Sequence, residues 1–71
     1  MIETPSHISQ VFDLIGRRVT HADHAGKVFT IQGAIPSDDG KSWVIQGRVF
    51  EGGVWTEVND TADRFFEYKD A

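Results

Sequence analysis

Cysteine is absent from the chain. That removes a disulfide framework and every thiolate metal site, and it argues against a zinc-stapled or secreted mini-protein. No apolar run approaches the roughly 20 residues needed to span a bilayer. The opening residues, Met1, Ile2, Glu3, Thr4 and Pro5, lack the basic start and apolar core of a signal peptide. A cytoplasmic setting without membrane association is therefore expected. Basic residues are few: 7 Lys and Arg stand against 11 Asp and Glu, for a formal net charge of −4. Nucleic-acid affinity rests on neutralised phosphates, so this balance disfavours a dedicated nucleic-acid binder and leaves room only for a local basic patch. It suits a basic or neutral partner surface. Catalytic constellations are missing too. His21, Asp23 and Ser42 form no recognisable triad, and 71 residues leave little volume for both a core and a water-excluding pocket. No enzyme activity and no cofactor are expected. One domain of moderate stability is what this length supports.

What the chain does hold is a dense β pattern over residues 27–58. Residues 27–35 and 42–50 are rich in β-branched and aromatic side chains, which favours strands. Between them lies a turn cluster, Pro36, Ser37, Asp38, Asp39, Gly40 and Lys41. The large apolar residues sit at odd positions on both segments: Phe29, Ile31 and Ile35, then Trp43, Ile45 and Val49. A three-residue loop, 38–40, places both sets on one face. It pairs Ile35 with Trp43, Gly33 with Ile45, Ile31 with Gly47 and Phe29 with Val49. Gly52 and Gly53 then suit a type I′ hairpin that pairs Phe50 with Trp55, Arg48 with Glu57 and Val49 with Thr56. Val54, Thr56 and Val58 join the core face. The opposite face carries Val28, Thr30, Gln32, Val44, Gln46, Arg48, Phe50, Trp55 and Glu57. It is either a second packing surface or a binding patch.

Flanking segments add to this sheet. Thr4 and Pro5 suit a helix start. Ile8, Val11, Phe12 and Ile15 follow at helical spacing, with Leu14 beside them and Gly16 as a C-cap, which predicts a short amphipathic helix over 5–15. This helix is expected to cover one end or face of the sheet. Residues 17–21 read as a short strand with Val19 inward. His21, Asp23 and His24 are imidazole and carboxylate donors in a loop, and so the weak candidates for a metal. Their spacing fits no established ligand series, and no metal is expected. After a turn at 59–63, one helical turn leads into a closing strand, with Phe65 or Phe66 plugging the core. Acidic residues Glu57, Asp60, Asp63, Glu67 and Asp70 dominate this end.

Gly16, Arg17, Arg18 and Val19, followed by Gly26, Lys27, Val28, Phe29, Thr30 and Ile31, resemble the opening of SH3-like small β-barrels, including the KOW type. The resemblance implies a mainly β domain, either a five-stranded SH3-like barrel or a twisted antiparallel sheet with its N-terminal helix. KOW-type domains contact RNA or ribonucleoprotein partners. That would assign nucleic-acid contacts to Arg17, Arg18, Lys27 and Arg48, with Phe50 or Trp55 as a stacking platform. The chain departs from that type in its acidity and in its leading helix. The residues themselves favour a non-enzymatic protein-binding module, with Phe50, Trp55, Arg48, Glu57, Val28, Gln32 and Gln46 contacting another protein. The composition also suits a phage or mobile-element accessory protein that inhibits by blocking a partner surface. A homo-oligomeric subunit pairing through the same face is the third reading.

Overall fold

A computed structural model describes residues 2–69. Five strands form one antiparallel sheet: β1 (Arg18–His21), β2 (Phe29–Pro36), β3 (Trp43–Glu51), β4 (Val54–Thr61) and β5 (Phe65–Glu67). Their order across the sheet is β4-β3-β2-β1-β5. One α-helix, α1 (Ile8–Leu14), precedes β1, and a single 3-10 turn, Ala62–Arg64, joins β4 to β5. The domain is mainly β and compatible with an SH3-like fold, but β4 and β5 are free edges and the sheet is not closed into a barrel.

The β3–β4 hairpin follows the sequence pairing throughout. Phe50 faces Trp55, Arg48 faces Glu57 and Val49 faces Thr56. Gly52 and Gly53 have φ of 61° and 80°, the left-handed pair that a type I′ turn requires.

The β2–β3 hairpin keeps the expected register only at its base, where Ile31 faces Gly47. A bulge between Ile31 and Gly33 then shifts it by one residue. Gly33 faces Gln46, Ala34 faces Ile45, Ile35 faces Val44 and Pro36 faces Trp43. The cause lies in the loop. Ser37 N–H donates to Ser42 O at 2.9 Å, so residues 38–41 form a four-residue loop rather than a three-residue one. Side chains stabilise it: Ser42 N–H donates to Ser37 Oγ at 3.1 Å, and Lys41 N–H to Asp39 Oδ1 at 3.0 Å. An even loop flips the faces, and the bulge restores them below it. Ala34 therefore packs on the core while Ile35 turns to solvent.

Val19, Phe29, Ile31, Ile45, Ala62 and Phe65 are buried in one core, which Ile2 and Leu14 complete. Phe65 fills the core and Phe66 stays exposed. Val54 lies on the core face but beyond the core, and is exposed. Gly47 sits between two rings. A Cβ there would lie 3.3 Å from Phe29 Cβ and 3.3 Å from Phe65 Cε1. Gly47→Val is expected to cost about 1–3 kcal/mol by overpacking, read as a lower urea midpoint. Gly33 does not face Ile45. Its nearest neighbour is the Gln46 side chain at 3.5 Å, so Gly33→Ala should leave the midpoint nearly unchanged.

Helix α1 is shorter than its apolar pattern, starting after His7 rather than at Pro5. The Gln10 side chain reaches back to Ser6 N–H at 2.6 Å and His7 N–H at 3.3 Å, satisfying donors that the helix leaves open. Val11 and Leu14 are buried, whereas Ile8, Phe12 and Ile15 are exposed. The expected apolar stripe is thus rotated away from the sheet. Its rotation is set at the C-terminal end, where Gly16 N–H donates to Ile31 O at 2.8 Å and Ile31 N–H donates to Arg17 O at 2.9 Å.

Candidate functional site: the outer face of the sheet

Alternation puts even-numbered residues of β3 and odd-numbered residues of β4 on the outer face, away from the core. Among the described residues nothing covers the aromatic pair there. Phe50 is 57% exposed and Trp55 is 60% exposed, with ring centroids 5.0 Å apart. The Arg48 guanidinium lies over the Trp55 ring, 4.5 Å from its centroid. Its cross-strand partner Glu57 instead accepts a hydrogen bond from Gln32 Nε2 at 2.9 Å, bridging over β3. Gln46 is on the same face, and half-buried Val28 immediately precedes β2. Six of the seven residues expected to contact a partner, all but Val28, therefore lie on one face of the sheet, where Arg48, Phe50, Trp55 and Glu57 are exposed and Gln32 and Gln46 are half-buried. A cation over a ring holds the Trp55 indole in place. An aromatic held this way, with polar groups around it, loses little side-chain freedom on binding.

The face extends further than the sequence pattern showed. Pairing aligns Glu57, Arg48, Thr30 and Arg18 in one row across four strands. Tyr68 N–H donates to Arg18 O at 3.1 Å, and the Arg18 guanidinium lies 5.6 Å from the Tyr68 ring centroid. Thr20 faces Phe66 beside that row. Phe66 and Tyr68 were legible as outward residues only once Phe65 was known to point in and β5 to pair with β1.

The proposed basic set does not converge in the same way. Arg18 and Arg48 share the outer face, separated by two strand spacings, roughly 10 Å. Lys27 is paired with Glu51 at 2.7 Å. Arg17 is elsewhere, lining a cleft of about 330 Å³ with Ile2, Glu3, Asp13, Leu14 and Glu67.

The histidine loop serves structure. His21 is the one buried polar residue among the described residues. Asp23 N–H donates to its Nδ1 at 3.1 Å, so Nε2 carries the proton and donates to Asp60 Oδ2 at 2.9 Å. Arg64 bonds the Asp23 carboxylate and approaches Asp60 at 3.6 Å. The His24 ring stands edge-on to Phe29. This network ties β1 to the far end of β4. Among the described residues no group of three His, Cys, Asp or Glu is placed to hold a metal ion. Asp70 lies outside the described residues.

Burial pushes the Asp60 carboxyl up, but the His21 hydrogen bond, the Thr61 N–H and the field of Arg64 outweigh it. The net effect holds Asp60 below the usual carboxylate range. A depressed folded pKa adds stability that is complete above the unfolded value, near ~3.9, and is lost as pH falls below it. Asp39, held down by the Ser37 hydroxyl and the Lys41 N–H, acts in the same direction. Asp60→Ala should lower stability at neutral pH by about 1–3 kcal/mol, because it strands a buried imidazole donor. It should also flatten the loss of stability below about pH 4 relative to wild type. Urea titrations at a series of pH values check both. An unchanged acid slope would remove Asp60 from the account.

No protein-family model matches this chain, and no curated protein and no solved structure matches it either.

Proposed function

We propose that this chain is a non-enzymatic protein-binding module whose outer sheet face docks on a partner protein and masks its surface. The observation that carries this reading is the exposed Phe50–Trp55 pair, with Arg48 over the indole and Glu57 and Gln32 beside it. Aromatic anchors and arginine are enriched among residues that dominate binding energy. The remaining exposed aromatics of this face, Phe66 and Tyr68, widen the contact area. An accessory or inhibitor protein that acts by covering a surface needs nothing more than such a face.

A second reading rests on a different observation. Arg18 over Tyr68 and Arg48 over Trp55 are two cation–ring units on one sheet face. That arrangement also suits stacking of unpaired bases beside phosphates, as the KOW-type resemblance implies. The two readings separate in one experiment: capture of partners from host lysate, with and without nuclease. The protein-binding reading expects a protein partner that survives nuclease and moderate salt. Recovery that vanishes with nuclease and falls steeply with salt overturns it in favour of nucleic acid. Self-association that depends on concentration, with no other partner captured, points to the homo-oligomer.

A further inference from the structure

The two edges of the sheet are unequal. β5 has three residues, and its outward Phe65 O already accepts from Ile2 N–H at 3.0 Å. β4 has eight residues, Val54–Thr61. It holds no proline, no lysine and no bulge; the only charges among its residues are the carboxylates of Glu57 and Asp60, which guard it against a second acidic strand but not against a basic one.

Hydrogen-bond parity shows what β4 offers. The pair flanking a two-residue hairpin turn, here Glu51 and Val54, exchanges both backbone bonds, and bonded and non-bonded pairs alternate from there. Val54, Thr56, Val58 and Asp60 therefore bond to β3. Trp55, Glu57, Asn59 and Thr61 aim N–H and C=O away from the sheet. Thr61 N–H is taken by Asp60 Oδ1 at 2.8 Å. The N–H groups of Trp55, Glu57 and Asn59 have no hydrogen-bond partner among the described residues. These same residues carry their side chains on the outer face, so the open edge and the aromatic surface share Trp55 and Glu57.

The occupant follows from charge. Glu57 accepts from neutral Gln32, and no described cation pairs with it, because Arg48 lies over Trp55 instead. A strand added beyond β4 would put a side chain directly beside Glu57, two strand spacings or about 10 Å from Arg48. Lysine or arginine there would complete an ion pair across the new ladder. A second copy of this chain fits poorly. In the centred antiparallel register Glu57 would face its own copy, and each chain already carries −4.

We propose that the β4 edge takes up an extended, basic peptide segment of the partner as a sixth strand. A Lys or Arg of that segment pairs with Glu57, and an aromatic or β-branched residue two positions along packs on Trp55. This rests on the protein-binding reading and specifies its mode.

The test starts from a displayed library of random dodecapeptides selected on the full chain. Selected peptides are then titrated by fluorescence anisotropy against wild type, Asn59→Pro, Glu57→Lys and Phe50→Ala. Asn59→Pro removes an outward N–H and leaves the β3 ladder intact, since Asn59 does not bond to β3. The expected result is alternating sequences with a basic residue. Affinity should fall about tenfold or more in Asn59→Pro, the scale of a lost backbone bond, and in Glu57→Lys. Amide exchange at Trp55, Glu57 and Asn59 should slow when wild type is bound, a readout that does not depend on any variant folding. Unchanged affinity in Asn59→Pro, or unprotected amides at all three residues, overturns strand addition. So does a library that yields no binder, or sedimentation showing β4-dependent dimers. Loss in Phe50→Ala without loss in Asn59→Pro leaves the aromatic face standing and sinks only the edge. The converse removes the face.

Discussion

Replacing Phe65 by alanine should cost about 3–5 kcal/mol, the range for a fully buried aromatic. A domain of this length holds roughly 4–11 kcal/mol in total, so the loss consumes much of the folded state's margin. The position explains the size. Phe65 is fully buried, stands edge-on to His21 with centroids 4.9 Å apart, and closes over Gly47. It also opens β5 directly after the 3-10 turn, where it faces His21 across the β1–β5 ladder. Truncation would leave a cavity against β1 and β3 together, and β5 has only three residues with which to hold its place. Calorimetry should show a fall in melting temperature of at least about 12 °C, or no cooperative transition. Phe66→Ala is the control. Phe66 is one residue along but faces outward and is exposed, and its loss should shift the transition by no more than a few degrees. Similar effects in the two variants would mean that the inward and outward assignments at β5 are wrong.

Trp55→Ala should do the reverse, costing only about 1–2 kcal/mol of stability and weakening binding about thirtyfold or more. With Trp55 60% exposed, truncation forfeits a cross-strand aromatic pair and a surface cation–ring contact, each worth roughly 0.5–1 kcal/mol. In the bound state the same ring would be covered. Interface anchors of this kind lose about 2 kcal/mol or more on truncation, close to a thirtyfold weakening. A helix lying over this face would have moved the whole cost into stability. Helix α1 does not lie there: it is anchored at Ile31, and its Leu14 packs into the core on the inner face. The split between affinity and stability is thus the signature of an open face.

Much of this was legible in the chain itself, for identifiable reasons. The β3–β4 hairpin could be read residue by residue, because Gly52 and Gly53 permit a two-residue loop whose parity fixes every later pair. A single helical turn leading into a closing strand followed from cap residues and adjacent phenylalanines, but the turn expected at 59–63 starts only at Ala62, because β4 runs on through Thr61. The β2–β3 loop could not be read as safely. Loop lengths of three and four differ only in whether Ser37 and Ser42 bond, and serine side chains decide that. The bulge at 31–33 was invisible, because it repairs the very face pattern from which register was argued. The helix went astray for a related reason. Ile8, Val11, Phe12, Leu14 and Ile15 contain two overlapping stripes, and tertiary anchoring selects Val11 and Leu14. As for the site, alternation alone assembled Phe50, Trp55, Arg48, Glu57, Gln32 and Gln46. Its extension to Thr20, Phe66 and Tyr68 needed the β1–β5 pairing, which no local signal encodes. His21 read only as a polar loop residue and a weak metal candidate, with no metal expected. Its partner Asp60 is 39 residues away, and only the folded chain brings them together.

The most direct measurement on the binding claim is partner capture from nuclease-treated host lysate by wild type and by Trp55→Ala, at equal concentrations of folded protein. Wild type is expected to retain a protein that the variant loses, while the variant still unfolds cooperatively with its melting temperature lowered by about 4–16 °C. Equal retention by both, or loss that merely tracks unfolding of the variant, would contradict that claim.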